Sequence, residues 1–142
     1  MATQRGHWEL FSHQADIGIR GVGESAARAF EQAGIALTAV IADPSVVAPS
    51  RVVPVSCANK EYELLFVDWL NALIYEMSTR QMLFSRFEVE IEDGILRANV
   101  WGERVDVEKH HPAVEVKAAT YLDLAVKEDP RHWWVAQCVV DV

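Results

Sequence analysis

Residues 87–101 read Phe-Glu-Val-Glu-Ile-Glu-Asp-Gly-Ile-Leu-Arg-Ala-Asn-Val-Trp, and this stretch decides the fold class. Apolar residues alternate with glutamates over 87–92, which is the period of a strand with one buried face. Asp93-Gly94 separates this run from a second one, Ile95–Trp101. An Asp-Gly pair between two such runs is a strong signal for a two-residue hairpin turn. The stretch therefore predicts an antiparallel pair of strands.

Two helices are predicted before this hairpin. In the first, apolar residues recur at three- and four-residue spacing over 27–41, with Ser25 as a plausible N-cap. In the second, an apolar stripe follows the same spacing over 65–77, with Asn59 as the candidate cap. Two glutamates precede that stripe, where the helix dipole favours negative charge.

The remaining alternating runs predict five more strands. They are His7–Phe11, Asp16–Val22, Arg51–Cys57, part of Val114–Ala125, and Trp133–Val140. With the hairpin and the helices they give the order β-β-α-β-α-β-β-β-β. This order predicts an α+β fold with one mixed sheet and both helices on one of its faces. The length of 142 residues favours a single domain over 1–142.

The charge balance argues against direct binding of nucleic acid. The chain has 21 acidic and 13 basic residues, a formal net charge of −8. A protein that binds RNA through its phosphates needs a basic face, because released counterions supply most of that affinity. An acidic chain can instead dock into the basic groove of a partner that binds RNA.

Compartment and redox state are also indicated by the sequence. No apolar run approaches the roughly 20 residues that span a bilayer. The charged start Met1–Arg5 precedes no apolar core of the kind found in signal peptides. We therefore expect no membrane association and a cytoplasmic location. The two cysteines, Cys57 and Cys138, each fall in a predicted strand, where a thiol acts as a small buried apolar group.

Two carboxylate sites stand out. Asp16 begins a predicted strand, two residues before a glycine that allows close backbone approach, so it could serve a metal ion. It could equally close a turn by bonding its own backbone. At the other end, a strand pattern continues to Asp141 and Val142, bringing a side-chain carboxylate beside a terminal one. A hard cation would relieve their repulsion, whereas a solvated, frayed tail is the alternative.

Other polar residues give weaker signals. His110-His111 are adjacent, which is not the spacing that places two histidines on one metal ion. Glu115 and Lys117 fall on one face of a predicted strand, where opposite charges can pair or simply be solvated. We find no phosphate-binding glycine loop and no nucleophile motif. The sequence thus offers no catalytic residue.

Taken together, these residues resemble the archease family over nearly the whole chain and in the same order. The resemblance rests on several short blocks, each weak alone: Ser12-His-Gln-Ala-Asp-Ile-Gly-Ile19, Leu64-Leu65, Trp69-Leu-Asn-Ala-Leu-Ile-Tyr75, Gly102-Glu103, Asp106, Lys109-His110, Glu115-Val-Lys-Ala118, Thr120-Tyr121 and Val140-Asp-Val142. The chain departs from the family pattern at Gln14 and at Leu122-Asp123.

The resemblance implies a function. Archeases assist the RtcB-type RNA ligase, promoting guanylylation of the ligase and its repeated turnover in tRNA splicing and RNA repair, and are not enzymes themselves. The family's metal site falls on Asp16, Asp141 and Val142, with Ca²⁺ expected and Mn²⁺ or Mg²⁺ as alternatives in the ligase complex.

The resemblance also suggests contacts with the ligase and leaves two rival functions. His13, Lys109, Glu115 and Lys117 are the candidate ligase contacts. The alternatives are a chaperone-like interaction module for RNA-modifying enzymes and, less favoured, a stand-alone metal-dependent hydrolase. A hydrolase would turn over phosphoesters alone with added metal.

Overall fold

The computed structural model describes residues 6–142; the charged start Met1–Arg5 lies outside the described residues. In chain order the strands are β1 (Gly6–His13), β2 (Asp16–Gly23), β3 (Arg51–Ala58), β4 (Met82–Glu92), β5 (Ile95–Arg104), β6 (Ala118–Ala119), β7 (Ala125–Glu128) and β8 (Trp134–Asp141). The helices are α1 (Ala26–Ile41), α2 (Tyr62–Arg80) and the single-turn α3 (Val107–His110), with a 3₁₀ turn at Pro44–Val46. The predicted α+β class is confirmed.

The hairpin that the sequence predicts is present as β4 and β5. Asp93 and Gly94 both have positive φ, 52° and 75°, as a type I′ turn requires. Glu92 pairs with Ile95 directly across that turn. On its other side β5 pairs antiparallel with β3, so these strands form a sheet of order β3-β5-β4.

The expectation of one mixed sheet is wrong. The remaining strands form a second sheet of order β1-β2-β8-β6, with β7 also pairing with β8, and each strand pair of the described chain is antiparallel. Helix α1 packs against β2 of this sheet and β4 of the other. A helix that is apolar on several sides can pack against two sheets at once. The spacing of its apolar residues does not indicate the number of sheets.

Close packing of α1 on the second sheet depends on a glycine. A Cβ on Gly21 would lie 2.1 Å from the carbonyl oxygen of Ala29 and 2.4 Å from the amide nitrogen of Ala33. Both atoms belong to the backbone and cannot move aside cheaply. Any larger residue at position 21 would push the helix off the sheet, so this position fixes how β2 sits beneath α1.

The helix starts agree only in part with the sequence. Ser25 caps α1, its Oγ accepting from the amide of Arg28 at 3.2 Å. The prediction of Asn59 as cap of α2 is wrong, because the cap position is Glu61 and it makes no side-chain cap bond. Asn59 instead accepts the amide hydrogen of Glu61 through Oδ1 at 3.0 Å. The Asn59 side chain thus orders the turn that leads into the helix.

One core joins the two sheets and the two long helices. Trp69 is fully buried, and its Nε1 donates to the Phe30 carbonyl at 3.0 Å. Both cysteines are free thiols; Cys138 is buried as expected and Cys57 is half-buried. Burial raises the pKa of the Cys138 thiol to about 12, so it acts as an apolar group. In the described part of the chain, no helix is long and apolar enough to cross a membrane.

Candidate metal and partner-binding site

The pairing of β2 with β8 brings the two carboxylate candidates together. Ile17 pairs with Val140, so one further step along each antiparallel strand places Asp16 beside Asp141. Asp141 is also paired on its other side with Ala118 of β6. Residues 125 positions apart in the chain thus become cross-strand neighbours, with Val142 directly following.

The alternation of side chains puts these carboxylates on the face of the sheet away from α1. Gly21 faces α1, so Asp16, at odd separation from it along β2, belongs to the opposite face. Asp141 falls on that same face of β8, because directly opposed residues share a face. Both aspartates are exposed. They therefore present two carboxylates to the same region of solvent.

Both simple alternatives for these aspartates lose support. Within residues 6–142, the Asp16 carboxylate accepts no hydrogen bond, so it does not close the hairpin turn by bonding backbone. The strand β8 runs through Asp141, whose carbonyl accepts the amide of Lys117 at 2.8 Å. The backbone at Asp141 is therefore held by the segment that leads into β6, and the alternative of a frayed tail does not hold at this residue.

Glu9, on the same face of the sheet, is an acid whose carboxylate is fully paired within the protein. Glu9 lies 2.8 Å from His7 Nε2 and accepts from Arg20 Nη1 at 2.7 Å. The hydrogen bonds from His7 and then Arg20 hold the pKa of Glu9 below its usual value. Arg20 also donates through Nε to Gln137 at 2.8 Å. This polar network neutralises the charge of Glu9 within the protein. The side chains of Asp16 and Asp141 have no such basic partner among residues 6–142.

The donor set at Asp16, Asp141 and Val142 fits a hard divalent cation in kind. Carboxylate and main-chain or terminal oxygens are the ligands that Ca²⁺ takes, roughly six to eight in number. Among the described residues, no three His, Cys, Asp or Glu side chains form a metal-binding group. A cation held by the two aspartates would therefore need further ligands from main-chain oxygens, water or a partner.

His13 lies at the same end of the sheet. It pairs with Asp16 across the β1–β2 hairpin, and its Nε2 lies 3.6 Å from Asp123 Oδ2. Its Nδ1 is buried and has no hydrogen-bond partner in the described chain. In the sequence, Asp123 stood out only as a departure from the family pattern, not as a site residue. It lies in the connection between β6 and β7, where residues 120–124 stand opposite only two residues of β8. Its position near His13 depends on strand pairing between distant segments, so no local sequence pattern predicts it.

Lys117 and Glu115 reach this region from the segment that leads into β6. The backbone of Lys117 is bonded to Asp141, so its side chain starts next to the carboxylate pair. Both side chains are exposed, and they do not pair with each other or with another charged group in residues 6–142. Both also line a cleft of about 580 Å³ beside α2.

Lys109 is placed differently from the other candidate contacts. Its Nζ lies 2.7 Å from Glu103 Oε2, an oxygen that also accepts from the Ala48 amide at 2.9 Å and contacts His110 Nε2 at 2.8 Å. The hydrogen bonds from Ala48, Lys109 and His110 lower the pKa of Glu103 to about 2. Lys109 therefore belongs to a structural cluster with Glu103 and His110. The sequence did not predict this cluster.

Comparison with known proteins shows the family to which the chain belongs. A sequence profile of the archease protein family (MTH1598/TM1083) matches residues 8–142. The archease of Pyrococcus abyssi is 40% identical over 139 residues, covering 95% of this chain and 98% of that protein. The chain belongs to the archease family. The archease of Pyrococcus furiosus is 38% identical with the same coverage.

Solved structures show that the archease fold is shared. The solution structure of Methanobacterium thermoautotrophicum protein 1598 aligns with a TM-score of 0.82 at 29% identity, covering 95% of this chain and 98% of that one. A Thermotoga maritima archease described as a possible chaperone aligns with a TM-score of 0.58 at 20% identity, covering 93% and 94%. The second likeness concerns the fold alone.

Proposed function

We propose that this archease is a metal-binding protein cofactor of an RtcB-type RNA ligase, acting in the cytoplasm in tRNA splicing and RNA repair. It promotes guanylylation of the ligase and so allows multiple turnover, without catalysing a reaction itself. Residues 1–142 act in this as one domain. Family membership supports the class of protein, and the exposed carboxylate pair at the ends of β2 and β8 supports the site.

The single observation that carries the proposal is that Asp16 and Asp141 lie side by side, and neither forms a salt bridge with a basic side chain of residues 6–142. Two adjacent exposed carboxylates repel each other, so a partner that brings a divalent ion gains by binding them. Asp16, Asp141 and Val142 would hold Ca²⁺, or Mn²⁺ or Mg²⁺ in the ligase complex. When bound, such an ion supplies positive charge next to phosphate groups.

The charge of the whole chain supports a protein partner over RNA itself. With a net charge of −8, the archease would be repelled by a polynucleotide but attracted to the basic groove of a ligase. His13 and Lys117 lie beside the carboxylate pair and are positioned to meet that partner. Glu115 lies two residues before Lys117 on the same segment, whereas Lys109 is already engaged by Glu103.

The test is ligation at limiting ligase with GTP and Mn²⁺, with and without the archease. We expect ligated product to exceed one equivalent of ligase only when the archease is present, together with faster guanylylation of the ligase. Binding to the ligase with unchanged guanylylation would favour a chaperone-like module instead. Hydrolysis of phosphoesters by the archease and metal alone would favour the hydrolase.

A further inference from the structure

The segment between α3 and β6 is an extended strap with unused backbone groups. Residues 112–117 belong to no helix or strand, and hydrogen bonds hold the strap at its two ends. Ala113 donates to the carbonyl of Ile41 at 2.8 Å, and Lys117 donates to that of Asp141 at 2.8 Å. Between these anchors, the amides and carbonyls of Val114, Glu115 and Val116 bond to no other residue in the described chain.

The strap forms one wall of a cleft with an apolar base and polar residues at its rim. The opposite wall is the last part of α2, with Ile74 and Ser78, and buried side chains such as Met77, Met82 and Val116 lie at the base. The cleft measures about 580 Å³, within the range of roughly 300–1,000 Å³ typical of binding sites. Extended backbone with unpaired groups can accept a peptide as an added strand, and the neighbouring cleft offers a pocket for one of its side chains.

The charges on the strap indicate which side chains a bound peptide should carry. Glu115 and Lys117 lie two residues apart, both exposed and without an ion-pair partner in the described chain. An added strand places its own side chains directly opposite, where opposite charges stabilise the pair and like charges do not. The complementary segment therefore carries a basic residue opposite Glu115, an acidic residue opposite Lys117, and an apolar side chain for the cleft.

We propose that this strap and cleft bind an extended segment of the RNA ligase by strand addition, an inference that rests on the proposed function. The cleft adjoins the carboxylate pair, since Lys117 lines the cleft and its backbone amide is bonded to Asp141. At roughly 3.3 Å per residue, a segment of four or five residues spans the strap. It thereby fixes the position of Asp16 and Asp141 against the ligase.

Hydrogen exchange of the full archease, free and saturated with the cognate ligase, tests the bonding directly. The amides of residues 114–116 bond to no residue between 6 and 142, so they should exchange rapidly in the free protein. Strand addition should slow at least one of them by about tenfold or more, because an added strand supplies carbonyl acceptors. Side-chain contact alone would leave these amides exchanging as in the free protein, and that result overturns the inference.

Two variants on α2 provide a matched pair. Ser78 is exposed and lines the cleft, whereas its exposed neighbour Thr79 does not line it. Ser78→Trp should fill the cleft and weaken ligase binding by about tenfold or more, measured by calorimetry. Thr79→Trp should bind as the wild type does. Unchanged melting temperatures in both would show that neither variant has lost its fold.

Charge reversal gives a readout that steric blocking does not. Glu115→Lys and Lys117→Glu should each weaken binding, and the double variant should not recover it, because the ligase segment keeps its own charges. If the wild type stimulates the ligase but Ser78→Trp and the reversals bind equally well, the cleft is not the docking site and the proposed function stands. If the wild type neither binds nor stimulates the ligase, the result contradicts both the proposed function and the binding of a ligase segment in the cleft.

Discussion

His110 Nε2 lies 2.8 Å from Glu103 Oε2, and the His110 side chain is fully buried. The other ring nitrogen, Nδ1, accepts the amide hydrogen of Asp106 at 2.9 Å. Because Nδ1 is an acceptor, the imidazole proton must reside on Nε2 and be donated to Glu103. This pair joins the end of β5 to α3. The Ala48 amide also donates to Glu103, which ties the segment before β3 to the same carboxylate.

Glu103 makes stability depend on pH in the acid range. Its pKa is about 2 in the folded protein, against an ordinary value of 4.5. A carboxyl whose folded pKa is lowered stabilises the protein above its unfolded pKa, and this stability is lost as the pH falls from about 4.5 toward about 2. We expect the free energy of unfolding of Glu103→Gln to fall less steeply over this range than that of the wild type. Denaturant titrations at several pH values measure it, and parallel slopes would show that Glu103 is not held as described.

Trp69 tests the core that positions the site. Trp69→Ala should destabilise the protein by roughly 3–5 kcal/mol, because it removes a fully buried ring and the hydrogen bond that its Nε1 donates to the Phe30 carbonyl. Tyr75→Ala is the matched control on the same helix, since that ring is 64% exposed. It should change the unfolding free energy by no more than about 0.5 kcal/mol in urea titration. Similar losses in the two variants would contradict the burial of Trp69.

Asp16→Ala and Asp141→Ala should separate function from stability. Each should abolish stimulation of the ligase, while the melting temperature stays the same or rises slightly, because removing one of two adjacent carboxylates relieves repulsion. Glu92→Ala, an exposed acid on the other sheet, serves as the charge-matched control and should stimulate normally. A large fall in melting temperature for Asp16→Ala would instead identify Asp16 as a structural turn residue.

An extension after Val142 should impair function without unfolding the protein. It converts any terminal carboxylate into a peptide bond and adds bulk beside Asp141, while the Val142 carbonyl remains available. Metal binding should therefore weaken without vanishing, and stimulation of the ligase should fall.

An N-terminal extension is the control for this prediction. Gly6 begins β1 seven residues before His13, which is about 23 Å along a strand. A tag placed before residue 6 is therefore remote from Asp16 and should be tolerated. Equal stimulation by both tagged proteins would remove Val142 from the site.

Local patterns in the sequence predicted much of the fold. The Asp93-Gly94 turn, the Ser25 cap and the alternating strands were all predictable, because each depends on residues a few positions apart. Asn59 was wrong as a cap because the chain makes one further turn before α2 begins. The sequence could also name Asp16 and Asp141 as carboxylates at strand ends.

Only the tertiary structure decided how these pieces meet. Alternation says that a segment is a strand, but not which strand it pairs with, so the division into two antiparallel sheets had no local signal. The pairing of β2 with β8 sets Asp16 beside Asp141, whereas Lys109 is held by Glu103 away from them. A strand was predicted over part of Val114–Ala125, and the structure forms it at Ala118–Ala119 and from Ala125 onward. Residues 114–116 of the strap are extended, but no strand of the described chain pairs with them. Residue type and spacing determine which element forms, while contacts between distant segments determine which side chains share a surface.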